Sequence, residues 1–185
     1  MDYEYYYNSA KSRYYDACSD INSKENRIAE LKNEKNRLLN EINSLKAEIT
    51  KHKEALTNLE AAIKMKSDID SSCSSSQTSL EETSLNFSGM AQSSNVSAKK
   101  LDEVYKTDTR LKIDNVFDTL NSRKTTLNNK ISDLEKQKRD TETTLAQKEA
   151  EIRNLNSDIS YLNTVKRNAS LDMDYYKRKM EEEEE

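Results

Sequence analysis

Proline and tryptophan are absent from the 185 residues, and glycine occurs once, as Gly89. Tight turns draw on glycine and proline for backbone angles that other residues resist. A fold built from many such turns has no material here, which excludes Rossmann and P-loop nucleotide sites, TIM barrels and β-sandwiches. Long apolar runs are missing too. No stretch approaches the ~20 residues that span a membrane, and Met1-Asp2-Tyr3-Glu4 lacks the basic and apolar regions of a secretory leader. Neither charge sign is in excess: 30 basic residues face 34 acidic ones, a net charge of −4. With a pI near 5.3 there is no basic face to expect for nucleic acid. A cytoplasmic protein is the expectation.

Charged residues make up 35% of the chain and hydrophobic residues 34%, which leaves disorder or long helices as the two outcomes. Periodicity chooses helices. From Tyr3 onward one heptad frame runs without a skip. Its a positions are Tyr7, Tyr14, Ile21, Ile28, Lys35, Ile42, Ile49, Leu56 and Ile63. Its d positions are Tyr3, Ala10, Ala17, Lys24, Leu31, Leu38, Leu45, His52, Leu59 and Lys66. Alternating spacings of 3 and 4 gather these side chains on one stripe of a helix over residues 1–67 and imply a left-handed supercoil.

A second helix is expected over 98–180. Its frame has Phe117, Lys124, Ile131, Lys138, Leu145, Ile152, Ile159, Lys166 and Met173 at a. Ile113, Leu120, Leu127, Leu134, Thr141, Lys148, Leu155, Leu162, Ala169 and Tyr176 stand at d. Lysines in the stripe either specify register or carry their charge out to solvent on a packed stem. Between the frames, residues 68–97 hold Ser71, Ser72, Ser74, Ser75 and Ser76 around Cys73. Serine favours caps and turns over helix interiors, so this stretch is expected to be a linker, with room for a short helical piece near Gln77–Leu85. Residues 181–185 are an acidic tail.

The fold expected is all-α: a long antiparallel two-helix coiled-coil hairpin with the serine-rich linker at its apex. In such a hairpin, facing residue numbers add to a constant, and the two frames permit 176 or 183. The first sets Ile49 against Leu127, the second Ile49 against Leu134. Half of either sum falls beside Gly89. Lys32, Lys46 and Lys53 at e also meet Glu135, Glu142 and Glu149 at e when helices run antiparallel. Glu41 to Lys46 and Glu48 to Lys53, as g-to-e spacings, would equally suit a parallel homodimer.

Chemistry is scarce. His52 is the sole histidine, and a catalytic or ligand role needs partners for it. Its d position makes it a residue of the packed stripe. A continuous helix from Cys18 to Ser67 would hold Cys18 and Cys73 ~75 Å apart, whereas a disulfide needs about 7 Å; two free thiols are expected. Asp68-Ile69-Asp70 and Asp172-Met173-Asp174 lack the Gly turn and distal Glu of a calcium loop. No enzyme, metal or cofactor is expected. The tyrosines are the unusual feature. Tyr3, Tyr7, Tyr14 and Tyr176 lie on the stripe, but Tyr5, Tyr6, Tyr15 and Tyr175 lie off it and are candidates for a partner surface. Leu39, Leu111, Val116 and Val165 are further apolar positions that a two-helix stripe does not use.

Phe87-Ser88-Gly89, followed by Met90-Ala91, places an aromatic-x-Gly sequence between the two heptad frames. A helical hairpin with that turn resembles the WXG-like proteins of type VII secretion, in which Trp-x-Gly joins two amphipathic helices. The heptad-rich opening is similar to the helical partner proteins that accompany LXG toxins. Phe stands in place of Trp, the chain is longer, and Lys179 and Met180 stand where the family's Tyr-x-x-x-Asp/Glu export signal would end. The resemblance implies a targeting partner that binds another helical protein, such as a toxin's N-terminal domain, with Phe87 and Gly89 as contact residues. It also implies a route of export without a cleaved leader. Two other classes remain open: a structural, self-associating coiled coil, and a holdase-like hairpin chaperone similar to prefoldin.

Overall fold

A computed structural model describes residues 2–87 and 110–184, nearly all of them in two α-helices. Helix α1 spans Tyr3–Phe87 and α2 spans Arg110–Glu184. No strand occurs among the described residues. The fold is all-α and antiparallel, as the heptads predict.

Helix α1 begins where the sequence places it. The Tyr5 N–H donates to Asp2 Oδ1 at 3.0 Å, so Asp2 caps the first turn, and Glu4 adds a favourable charge there. Its end differs from expectation. The helix does not stop at Ser67 but continues through the serine cluster to Phe87. The hydroxyls of Ser74, Ser75, Ser76 and Thr78 donate to the carbonyls of Asp70, Ser71, Ser72 and Ser74, four residues back, at 2.9–3.1 Å. Bonded in this way, serine leaves the backbone ladder intact, and neither Gly nor Pro interrupts it before Gly89. The expected linker over 68–97 is therefore helical to Phe87, and its remainder, Gly89 included, lies outside the described residues. So does the expected start of the second helix near Ala98.

The far end also runs longer than the sequence implies. Residues 181–184 continue α2 and are no separate tail. Lys177 pairs with Glu181 and Lys179 with Glu182 along the helix, which offsets the poor placement of glutamate at a helix C-terminus.

The chain divides into two compact units. In the first, residues 1–44 pack on residues 138–185. Arg13 pairs with Asp172, Lys24 with Asp158 and Arg27 with Glu151, so numbering rises on one helix as it falls on the other. Ala10, Ala17, Ile21, Ile28, Leu31, Ile42 and Ala169 form its buried set. In the second unit, residues 45–137, the same opposed order links Lys53 to Glu135, Glu60 to Lys124 and Lys66 to Asp114. Leu45, Ile49 and Leu134 make a core cluster there, with Phe117 and Ile131 also buried. Every buried hydrophobic residue among those described is an a or d position of the two frames.

Register is settled at 183. Ile49 clusters with Leu134, and the Lys66 ammonium stands 5.5 Å from the Phe117 ring centroid; both pairs of numbers add to 183. Lys53 meets Glu135 at 2.7 Å, the e-to-e contact that the antiparallel arrangement requires.

The lysines of the stripe all reach outward. Each is half-buried, and each finds an anion or a ring. Lys24 meets Asp158, Lys35 meets Glu149, Lys124 meets Glu60, Lys138 meets Glu142 and Lys148 meets Glu34. Lys66 bridges Asp114 and Asp70, and Lys166 sits over the Tyr14 ring. A four-carbon stem packs beside the seam while the ammonium stays at its edge.

Candidate interaction surface

Where α1 begins and α2 ends, the first unit carries a connected set of tyrosine rings. Tyr176, at d in α2, is the hub. It stacks on Tyr6 with centroids 5.4 Å apart and 22° between planes. It lies 6.5 Å from Tyr3 and meets Tyr175 edge to face at 5.2 Å. Tyr5 then packs edge to face on Tyr6 at 5.5 Å. Stacked and T-shaped pairs suit the ring quadrupole, so five side chains hold one another in place. The heptad explains part of this. Tyr3 and Tyr176 stand at d at the end of the seam and Tyr6 at g on its edge, while Tyr5 at f and Tyr175 at c lie farther out and join through Tyr6 and Tyr176.

Of the four off-stripe candidates, the structure brings together three. Tyr5, Tyr6 and Tyr175 share the ring chain and keep 66%, 42% and 49% of their surface exposed. Tyr15 is 59% exposed and meets only its neighbour Tyr14, edge to face, among the ring contacts described. The side chain of Phe87 and all of Gly89 lie outside the described residues, so the aromatic-x-Gly pair has no described contact.

Charge surrounds the rings. The Lys179 ammonium is held above its ordinary range first by its hydrogen bond to Glu182 and by that carboxylate's charge, against the cost of desolvation. Tyr175 and Tyr3 add a smaller electrostatic part. Arg13 is bonded to Asp172 at 2.9 Å.

Four exposed apolar or aromatic residues escaped the sequence reading, Met65 and Ile69 on α1 and Tyr161 and Leu171 on α2. Tyr161 lies two heptads before Tyr175 at the same heptad position, a spacing that places both on one flank; that periodicity was the available signal. Leu39, Leu111 and Val116 are exposed as expected for positions off the stripe, joined by Met65 and Ile69, whereas Val165 is half-buried. Val116 holds the same g position and is 55% exposed, so heptad position alone does not decide the cover.

The remaining candidates for chemistry have plain surroundings. His52 Nε2 stands 3.6 Å from Glu48 one turn earlier, and Cys18 and Cys73 are free and half-buried. No group of three His, Cys, Asp or Glu side chains able to hold a metal ion occurs among the described residues. No helix among them is long and apolar enough to cross a membrane. No protein-family model, curated protein or solved structure matches the chain. The surface is thus read from its own geometry.

Proposed function

We propose that the chain is a non-enzymatic helical partner protein, one that binds another helical protein and serves a type VII-like secretion system as a targeting partner. The observation that carries the binding half is the exposed ring chain of Tyr5, Tyr6 and Tyr175. Large aromatic side chains held rigid by their neighbours lose little entropy on docking, and tyrosine is enriched at interface centres. Exposed Leu111, Val116, Met65 and Ile69 add apolar surface that a two-helix seam leaves uncovered. The secretion half rests on the resemblance of Phe87-Ser88-Gly89 in a helical hairpin to the WXG-like turn. A non-enzymatic role agrees with seam lysines and carboxylates that are spent on one another.

The test is a mass measurement in solution. A monomer that joins a tight heteromer with a protein captured from the native host supports the reading. A stable homodimer that captures nothing replaces it with the self-associating coiled coil. Phe87→Ala with Gly89→Ala should weaken capture or export at unchanged helicity; unaltered capture and export in that double variant would remove the secretion setting.

A further inference from the structure

We infer that the tyrosine face at the start of α1 and the end of α2 docks a Lys/Arg-rich amphipathic helix of its partner. This rests on the reading above, that the chain binds another helical protein, and adds the chemistry by which the partner is chosen.

The charge distribution names the occupant. Residues 1–16 and 170–185, the two segments that carry the ring chain, hold ten acidic and five basic side chains. The other 153 residues hold 24 acidic and 25 basic. The net negative charge of the protein therefore falls in the two segments that carry the exposed rings, and the rest of the chain is close to neutral. Four of the five local cations are already engaged, Arg13 with Asp172, Lys177 with Glu181, Lys179 with Glu182 and Arg178 with the Asp174 carbonyl. An aromatic face inside an acidic field attracts cations twice, through the field and through the ring faces.

The protein itself shows that its rings seat cations. Lys166 stands 5.5 Å from the Tyr14 centroid and Lys66 the same distance from that of Phe117, both within the ~6 Å at which the ring quadrupole acts. Tyr14 and Phe117 are on the seam, where the lysine comes from the opposite helix. Tyr5, Tyr6 and Tyr175 are exposed off the seam, with no cation–ring contact among those described, and their faces are open to a cation from a partner. A helix suits this face better than an extended segment. The edges of α1 and α2 flank an apolar hub at Tyr176, and a third helix would lay an apolar stripe there with basic residues on either side.

Two synthetic peptides of about 21 residues, three heptads long, test this on the full chain. They share one apolar face; the polar face is arginine in one and glutamate in the other. Fluorescence anisotropy is read at ~50 mM and ~500 mM salt, across which exposed charge is screened. The arginine peptide should bind at least tenfold more tightly than its twin and lose most of that advantage at the higher salt. The Y5A/Y6A/Y175A variant should lose about tenfold in affinity for it with unchanged circular dichroism, and Y5F/Y6F/Y175F should retain binding because the rings remain. Substitution of Glu181, Glu182 and Glu183 by Gln should cost about threefold. Equal binding of the two peptides, or a triple alanine variant that binds the arginine peptide as the parent does, would overturn the inference. Failure of the arginine peptide while the chain still forms its native heteromer removes the basic helix and leaves the function standing. A homodimer that binds neither peptide removes both.

Discussion

Glu34, Lys35, Lys148 and Glu149 form a charged layer of the seam in the first unit; Leu45, Ile49 and Leu134 form an apolar layer in the second. In the charged layer Lys148 reaches Glu34 at 2.9 Å and Lys35 reaches Glu149 at 2.7 Å, two reciprocal pairs related by the antiparallel symmetry. In the apolar layer three side chains are 8%, 8% and 2% exposed and have no such direction. Burial of aliphatic surface stabilises, but it rewards several heptad alignments almost equally. Charged pairs at the seam edge contribute less and discriminate more. A slip of one heptad, to the sum of 176, would still set Leu45 against Ile131 and Ile42 against Leu134. It would bring Lys148 beside Arg27 and Lys124 beside Lys53. Apolar layers hold the helices together; charged layers decide where.

The largest expected effect is on the apolar side of this contrast. Leu31, with no exposed surface, should lose ~2–5 kcal/mol on substitution by Ala, and Ile49→Ala should fall toward the lower end because the seam covers it less completely. Tyr176→Ala, which removes the hub of three ring contacts, should cost about 1–2 kcal/mol. Denaturant melts check all three. A loss below about 0.5 kcal/mol for Leu31→Ala would mean that the packed stripe is another one.

Lys35→Leu with Lys148→Leu should invert the usual outcome of mutation. Replacing two half-buried ammonium groups by apolar side chains at facing positions should raise the melting temperature by a few degrees while relaxing register. Cysteine pairs read the register, after Cys18 and Cys73 are changed to Ser. Ile42→Cys with Thr141→Cys reports the sum of 183, and Ile42→Cys with Leu134→Cys reports 176. The parent should cross-link through the first pair alone, and the double leucine variant through both. A variant still confined to the first pair would place register control elsewhere in the seam.

Acid should reach the charged layers before the apolar ones. Glu34, Glu60 and Glu149 are held below their ordinary value of 4.5, first by hydrogen bonds from Lys148, Lys124 and Lys35 and against the opposing cost of desolvation. Asp114 is held below 3.8 by Lys66 in the same way. A carboxylate depressed in the folded state contributes stability above its unfolded pKa and loses it as pH falls through the folded one. Stability should therefore be level near neutrality and decline below about pH 4.5. Glu34→Gln with Glu149→Gln should flatten that decline, and an identical acid profile in the variant would detach these pairs from stability.

The seam was fully legible from residue spacing. Every a and d side chain of the two frames is buried or half-buried, because a 3.5-residue repeat admits one buried stripe. Register was legible in principle. The like-charge meetings Lys148–Arg27 and Lys124–Lys53 follow from the sequence once charged pairs, and not only apolar ones, are carried through both sums. The serine run misled because serine's preference for caps is a weak local bias, and its hydroxyls bonded back onto α1 instead. The surface was half legible. Off-stripe positions marked Tyr5, Tyr6, Tyr15 and Tyr175, but the hub role of Tyr176 depends on ring orientation, which no spacing encodes.

The smallest expected effect separates surface from seam most sharply. Tyr5→Ala and Tyr15→Ala remove rings that are more than half exposed, so each should change stability by no more than about 0.5 kcal/mol. Their effects on binding should differ. Tyr5 belongs to the ring chain through Tyr6, whereas Tyr15 meets only Tyr14 among the described ring contacts. Tyr5→Ala should weaken capture of the partner several-fold, and Tyr15→Ala should leave it nearly unchanged. Equal losses would extend the contact surface along α1 past its first two turns; a loss confined to Tyr15→Ala would move it off the ring chain altogether.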